Sequence, residues 1–180
     1  MILSEHAMTG EEITHAIHAL ADKITEQHPS LEGVVLVGIL SAGYPVADRL
    51  KVAIEKKTGI TLPIGKLDSS LYRDDLLSRG QFVTLRETDI PFNLTNKTLI
   101  LVDDVLFSGR TIRASLNALS DFGRPASIEL AVLIDRGHRQ LPIFANFIGK
   151  TLLTEKTDYI KVRLCEIDGE DEVVLTTQRG

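Results

Sequence analysis

Three predominantly apolar runs divide the chain, at residues 34–39, 99–102 and 128–134. Each run is rich in Val, Ile and Leu, a composition typical of strands that are buried on both faces. Residues 62–67 predict a further, short strand. Helical segments lie between these runs, so the pattern indicates an open α/β sheet.

Amphipathic helices are predicted between the strands. Apolar residues recur at helical spacing over residues 13–24, after a Thr9–Glu12 segment that resembles a capping box. A second helix is expected over residues 45–59, because Pro45 suits a first turn and Gly59 suits a helix end.

The most informative stretch is residues 99–123. Its apolar run leads into two adjacent acids, Asp103 and Asp104, and then into the small-residue loop 108–111. A third helix is predicted after this loop, and Gly123 is expected to stop it. The unit is therefore a strand, an acid pair, a loop and a helix start.

Each part of this unit has a chemical use. Ligands of open α/β sheets bind beyond the carboxyl ends of the strands, and a helix start favours an anion. Gly109 lets the backbone approach a phosphate, while Ser108 and Thr111 add hydroxyl donors. The adjacent carboxylates suit two sugar hydroxyls or a hydrated metal ion. Together these features describe a site for a ribose 5-phosphate.

A simpler interpretation treats the two acids as turn residues and Thr111 as a helix cap. The loop has neither the Gly-Lys-Ser/Thr of a Walker motif nor the Gly-x-Gly-x-x-Gly of a dinucleotide site. The whole unit is similar to the phosphoribosyl-diphosphate (PRPP) motif of type I phosphoribosyltransferases. That similarity favours the binding site over the simpler interpretation.

Other segments add candidate functions. The small-residue turn at 40–43 is a second possible anion site. Residues 68–96 lack clear periodicity, so they are either a lid, with Tyr72 and Arg73 suited to closing over a polyanion, or a solvated loop. His138 could act as an acid or base, although a hydrogen-bonded loop residue is the simpler interpretation.

Composition narrows the class of protein. The 180 residues carry a net charge of −5, which gives no general attraction to nucleic acid or anionic membranes.

Cys165 is the only cysteine, in an alternating run that predicts a packed thiol. Residues 159–164 and 173–176 are expected to pair as antiparallel strands. The sequence shows no leader or membrane-spanning pattern, so we expect a cytoplasmic protein of one domain.

The chain resembles the PyrR family of pyrimidine operon regulators, which are also uracil phosphoribosyltransferases, over almost its whole length. Several sequence blocks occur in the family's order and at matching separations. These blocks are Leu36-Val37-Gly38-Ile39, Leu71-Tyr72-Arg73-Asp74-Asp75-Leu76, residues 101–111, Gly123-Arg124-Pro125, Asp135-Arg136-Gly137-His138-Arg139, Leu141-Pro142 and Ile148-Gly149-Lys150.

The resemblance implies the type I phosphoribosyltransferase fold, a parallel central sheet flanked by helices with a small hood. It also implies a reaction in which uracil displaces pyrophosphate from PRPP to give UMP. Mg²⁺ is expected as a cofactor held mainly by the substrate, with no metal site on the protein itself. Further implied partners are UTP, pyrimidine operon leader mRNA and a second copy of the chain, in a dimer or a larger homo-oligomer.

The resemblance also assigns roles to individual residues. The acids would hold ribose hydroxyls, the loop would hold the 5-phosphate, and arginines would meet the pyrophosphate or face the base. The assigned residues are Asp103, Asp104 and Arg73 for catalysis; Ser41, Ala42, Gly43, Arg86, Val105, Leu106, Phe107, Ser108, Gly109, Arg110, Thr111, Arg136 and Ile160 for PRPP or UMP; and His18, Arg139 and Lys150 for RNA.

Two departures from the family pattern matter. The turn that usually reads Lys-Thr-Arg-Gly is Leu40-Ser41-Ala42-Gly43 here, so both cations are absent from the expected pyrophosphate loop. The face that binds RNA in the family is also less basic, because Lys23 is the only lysine or arginine of the first helix and Phe144 replaces a basic residue. Three hypotheses therefore stand: a uracil phosphoribosyltransferase that also regulates, a regulator without catalysis, and a transferase for another base.

Overall fold

The computed structural model describes residues 2–72 and 87–178. Five strands form a parallel sheet in the order β3-β2-β4-β5-β6. This confirms the expected α/β architecture. The strands are β2 (Val34–Ile39), β3 (Ile64–Leu67), β4 (Thr98–Leu106), β5 (Ser127–Asp135) and β6 (Phe147–Thr151).

Strand β4 is the centre of this sheet and extends past its neighbour β2. Gly38 of β2 pairs with Val102 of β4, and β4 continues for four more residues beside β5. Asp103 and Asp104 therefore lie within β4. The sequence had predicted that they follow the strand. The carboxyl end of β4 consequently projects beyond β2, where a ligand can approach it.

Helices cover both faces of the sheet. Helices α1 (Gly10–Gln27) and α2 (Gly43–Thr58) pack on one face, in an apolar cluster that includes Leu36 and Ile100. Helix α3 (Arg110–Leu119) packs on the other face. Because successive side chains of a strand point to opposite faces of the sheet, each buried strand contributes residues to both clusters.

The helix ends mostly follow the sequence signals. Thr9 and Glu12 form the predicted capping box, with N–O distances of 3.3 and 2.8 Å, and Gly59 closes α2 in the left-handed conformation. The predicted end of α3 at Gly123 is wrong, since the helix ends at Leu119. The Ser120 hydroxyl donates to the Asn117 carbonyl at 2.6 Å, which satisfies the last turn before the glycine is reached.

A second, antiparallel sheet joins the two ends of the chain in the order β1-β8-β7. Its strands are β1 (Ile2–Thr9), β7 (Tyr159–Arg163) and β8 (Glu172–Gln178), and we term it the hood. The pairing of β7 with β8 confirms the predicted hairpin. Strand β1 was not expected from the sequence, because residues 2–9 show neither a continuous apolar run nor a regular alternation.

The prediction of a packed thiol at Cys165 is wrong, because the residue is exposed. Strand β7 ends at Arg163, and the chain turns into the short helix α4 (Cys165–Asp168). Leu164 is fully buried at the turn and takes the inward position, so Cys165 faces outward.

The predicted lid, residues 68–96, lies partly outside the described residues. In its described N-terminal part, a 3₁₀ turn spans Ser70–Tyr72, and the Tyr72 hydroxyl donates to the Asp121 carboxylate. In its described C-terminal part, Leu94 is fully buried in the core. Within the described ranges, no helix is long and apolar enough to cross a membrane.

Candidate functional site

The acid pair lies near the carboxyl end of β4, in two different environments. Asp103 is only 6% exposed, and its Oδ1 accepts a hydrogen bond from the Asp104 backbone N–H at 2.9 Å. Asp104 is half-buried, and burial of its carboxyl raises its pKa despite hydrogen bonds from its surroundings that act in the opposite direction. The second carboxylate is therefore costly to ionise until a cationic or hydrogen-bonding ligand arrives.

The turn between β2 and α2, which contains a cis peptide bond between Leu40 and Ser41, presses directly against this pair. A Cβ atom on Gly43 would lie 2.6 Å from the Val102 carbonyl oxygen and 3.2 Å from Asp103 Oδ1. On Gly38 it would lie 2.4 Å from Tyr44 Cα. Only glycine permits both approaches. These contacts bring the two predicted anion sites together.

A cavity of about 320 Å³ opens beside the acid pair, near the lower end of the range for small-molecule sites. Gly109 caps helix α3 at its mouth with a φ of 91°, which glycine adopts without strain. Most of the lining belongs to residues 105–111, which are predicted to hold the 5-phosphate and which we term the phosphate loop. The lining residues are Asp103, Val105, Leu106, Phe107, Ser108, Gly109, Arg110, Thr111, Ile112 and Gln140.

Two lining residues, Ile112 and Gln140, are not among the predicted site residues, and Gln140 is the one bonded to the loop. Its side-chain oxygen accepts a hydrogen bond from Arg110 Nε at 2.9 Å, and its backbone N–H donates to the Ser108 carbonyl at 3.0 Å. It lies thirty residues further along the chain than Arg110, and no pattern in the sequence links the two.

The segment that follows β5 holds the phosphate loop through three successive carbonyl groups. Hydrogen bonds of this kind fix the loop before a ligand binds, which lowers the entropy cost of binding. The bonds are Arg136 N to Leu106 O at 3.1 Å, Arg139 Nη1 to Phe107 O at 2.9 Å and Gln140 N to Ser108 O at 3.0 Å.

Arg139, predicted to contact RNA, is occupied inside the protein. Its guanidinium pairs with the Asp135 carboxylate at 2.5 Å and donates to the Ile143 carbonyl at 2.9 Å. The two paired side chains are only 14% and 15% exposed. In this structure Arg139 supports the phosphate loop, and its contact with RNA stays a prediction.

Arg136 joins the phosphate loop to the segment before the hood. Its guanidinium carbon lies 4.1 Å from the centre of the Phe107 ring, and its Nη2 donates to the Glu155 carbonyl at 2.8 Å. Burial lowers the pKa of Arg136, and the nearby Asp158 carboxylate partly offsets this. Ile160 is buried in strand β7 of the hood, and its predicted position facing the base stays a prediction.

The other residues predicted to bind RNA lie on the α1 side of the molecule. His18 lines a groove of about 280 Å³ between α1 and α2, together with Arg49 and Lys56. Lys150 of β6 donates to the Ala7 carbonyl at 3.2 Å and lies 3.4 Å from a Glu12 carboxylate oxygen. Arg73 and Arg86, predicted to meet the pyrophosphate, lie outside the described residues.

The carboxylates fit a metal ion that is shared with a substrate. Among residues 2–72 and 87–178, no group of three or more His, Cys, Asp or Glu side chains is arranged to hold a metal ion. Two carboxylates at a strand end are enough for Mg²⁺, which usually binds one or two protein carboxylates and keeps water or phosphate oxygens as its other ligands.

Comparison with known proteins identifies the family. The phosphoribosyl transferase domain model matches residues 9–164. The bifunctional protein PyrR of Chloroflexus aurantiacus is 52% identical over 168 residues, which are 93% of this chain and 92% of that protein. The chain belongs to the PyrR family. The PyrR of Thermus thermophilus is 49% identical over 173 residues, 96% of each chain.

Solved structures agree with this PyrR assignment at the level of the fold. A hypoxanthine phosphoribosyltransferase of Staphylococcus aureus superposes with a TM-score of 0.69 at 22% identity, over 94% of this chain and 90% of that chain. One from Trypanosoma cruzi gives a TM-score of 0.73 at 19% identity, over 95% and 90%. The architecture is therefore that of the type I phosphoribosyltransferases.

Proposed function

We propose that this PyrR-family protein transfers a phosphoribosyl group from PRPP to uracil, and that it regulates pyrimidine operon transcription through leader mRNA in response to UMP or UTP. Relatives of about 50% identity that are named bifunctional support both activities. The observation that carries the catalytic half is the contact between three parts of the chain: the Gly43 turn, the buried Asp103 and the cavity of the phosphate loop.

In this proposal the phosphate loop holds the 5-phosphate of the ribose. Its backbone N–H groups and the hydroxyls of Ser108 and Thr111 are the donors, and the bonds from the segment after β5 keep it in position. Asp103 and Asp104 accept hydrogen bonds from the ribose hydroxyls. Mg²⁺, brought in with PRPP, neutralises part of the pyrophosphate charge when it is bound.

The reaction needs no covalent intermediate with the protein. The bond between ribose C1 and the pyrophosphate oxygen breaks, a bond to a uracil ring nitrogen forms, and that nitrogen loses its proton. Positive charge develops on the ribose as pyrophosphate departs, and the two carboxylates stabilise it. Positioning and electrostatics thus supply the catalysis.

The choice of base is tested by offering the protein uracil and hypoxanthine in equal amounts, with PRPP and Mg²⁺, and separating the products. Hypoxanthine is the relevant competitor because it is the base named for the solved structures of similar fold. We expect UMP and at least a hundredfold less inosine monophosphate. Formation of the purine nucleotide alone would reassign the base, and no product would leave the regulator without catalysis.

The regulatory half has its own test. Gel-shift titration of a pyrimidine operon leader with the protein should show binding that strengthens when UMP is added. We expect the active species to be a dimer or larger, which sedimentation of the same samples measures. RNA binding that ignores UMP and UTP would contradict the proposed regulation.

A further inference from the structure

The turn of residues 40–43 carries no cation, although it lies against the acid pair where the proposed pyrophosphate would leave. A departing pyrophosphate gains negative charge, and a fixed cation beside it is worth more in a water-poor site than in solution. A positive side chain from an element next to this turn could supply the missing charge.

Lys66 of β3 occupies such a position. It pairs in register with Gly38, two residues before the turn, and the Leu40 backbone N–H donates to the Leu67 carbonyl at 2.9 Å. Neighbouring strands are about 4.8 Å apart, so the turn begins one strand spacing from the Lys66 backbone. Both strands also end at the same edge of the sheet as the acid pair.

The side chain of Lys66 lies on the correct face of the sheet. Ile64 packs against the cluster under α1 and α2, while Leu67 belongs to the cluster under α3. Alternation along the strand places Lys66 on the same face as Ile64. Helix α2 starts from the turn on that face, and the Tyr44 backbone stands over Gly38, the register partner of Lys66. The flexible four-carbon stem of lysine can extend from there toward the turn.

The ammonium group is available for a ligand. Within the described part of the chain, the half-buried Lys66 side chain has no hydrogen bond or ion pair. Asp89 faces it across an antiparallel bridge, with backbone N–O distances of 2.8 and 2.9 Å, but the two side chains form no salt bridge. The exposed Asp89 carboxylate therefore leaves the Lys66 ammonium group unoccupied.

We propose that Lys66 binds the pyrophosphate group of PRPP and supplies the positive charge that the 40–43 turn lacks. This inference rests on the proposed function, since it concerns the same site. It makes Lys66 a catalytic residue that contacts PRPP but has no partner in UMP, which carries no pyrophosphate.

The difference between PRPP and UMP provides the test. Calorimetric titrations with each ligand, in the presence of Mg²⁺, compare the wild type with Lys66→Met and Lys66→Arg. We expect Lys66→Met to weaken PRPP binding at least tenfold and to change UMP binding less than twofold. Lys66→Arg should restore most of the PRPP affinity, because it keeps the charge.

Lys97→Met is the matched control. Lys97 is also a half-buried lysine, but it precedes β4 at the opposite end of the sheet. Its replacement should leave both affinities unchanged. Lys66→Met that binds PRPP as tightly as the wild type would overturn the inference. Equal losses for PRPP and UMP would overturn it too, because they would indicate a structural role beside Asp89.

Failure of the proposed function gives a different result. A wild type that binds PRPP through Lys66 but forms no UMP from uracil would refute the transferase and keep the Lys66 assignment. A wild type that forms UMP while Lys66→Met shows unchanged PRPP affinity would keep the transferase and refute Lys66. A wild type that binds neither ligand would refute both.

Discussion

Gly43 lies where the turn of residues 40–43 packs against the acid pair. A methyl group at this position would overlap the Val102 carbonyl and approach Asp103 Oδ1. We expect Gly43→Ala to push the turn outward, to weaken PRPP binding more than tenfold and to cost about 1–3 kcal/mol of stability, as overpacking usually does. Titration calorimetry and urea unfolding measure the two effects. Ser127→Ala, at an exposed position at the opposite end of the sheet, is the control and should change neither.

Asp104 gives a prediction about pH. Because burial raises the pKa of its carboxyl in the folded state, the ionised form costs free energy, and that cost appears as the pH rises through the raised pKa. Asp104→Asn removes the charge. We expect its Tm to exceed that of the wild type by roughly 2–4 °C at about pH 8, the effect of ~1 kcal/mol in a domain of this size.

The difference in Tm between wild type and Asp104→Asn should shrink as the pH falls, since the wild-type carboxyl then takes up its proton. Scanning calorimetry across a pH series measures it. A variant that is less stable than the wild type at every pH would show that the ionised carboxylate is stabilising in the free protein.

Local chemistry made part of the site predictable from the sequence. The residues of each part of the site are close together in the chain: Asp103 and Asp104 with Gly109 in one segment, and the turn of residues 40–43 in another. Each segment therefore has a pattern that the sequence shows directly. The role of Gln140 and the internal bonds of Arg139 were not predictable, because they depend on how the segment after β5 lies across the loop after β4. Contacts between distant segments leave no periodic signal.

Arg49 of helix α2 binds the segment that connects hood strands β7 and β8. Arg49 donates two hydrogen bonds to Glu166, at 2.7 and 2.6 Å, and two to Asp171, at 2.8 and 2.7 Å. Asp171 Oδ1 also accepts a bond from the Cys165 backbone N–H at 2.7 Å. The Arg49 side chain is 20% exposed, so solvent screens this network only in part.

Replacing the planar guanidinium with an ammonium should loosen the hood, since lysine cannot make two bidentate contacts. We expect Arg49→Lys to lose about 1–2 kcal/mol of stability. Lys57→Met is the control, because the exposed pair of Lys57 with Asp22 should contribute less than ~0.5 kcal/mol. Urea unfolding compares the two. Equal losses in both variants would mean that the Arg49 network contributes no more than an exposed pair.

The same network adds a dependence on acid. Arg49 lowers the pKa of Glu166 and of Asp171 through hydrogen bonds. Their contribution to stability is therefore present above the ordinary carboxyl range and is lost as the pH falls through the lowered values. The stability gap between wild type and Arg49→Lys should narrow accordingly in acid.

Periodicity predicted the buried strands and the amphipathic helices because each has a strong local pattern. The sequence pattern did not predict strand β1, whose pairing with β8 brings together residues more than 160 positions apart in the chain. Its residues are mostly exposed and need no apolar alternation, since β8 supplies the hydrogen bonds. Tertiary pairing thus decided what local propensity left open.

At the scale of the whole molecule, the net charge of −5 limits RNA binding. Arg139 is internally paired and Lys150 lies beside Glu12, so few cations of the predicted RNA face are available for phosphates. We expect modest affinity for a pyrimidine operon leader and a shallow dependence of log K on log salt concentration, corresponding to about two to four phosphate contacts. Filter binding across a salt series measures the slope. A steep slope with nanomolar affinity would show that a basic face exists elsewhere.

In the proposed mechanism, the carboxylates at the end of β4 form the ribose side of a nucleotide site. The most direct measurement is calorimetric titration of UMP into the wild type and into the double variant Asp103→Asn, Asp104→Asn. Both replacements keep the shape of the side chain and remove its charge, and circular dichroism checks that the fold is retained. We predict saturable binding by the wild type and at least a hundredfold weaker binding by the folded double variant, whereas undiminished affinity would exclude the pair from the site.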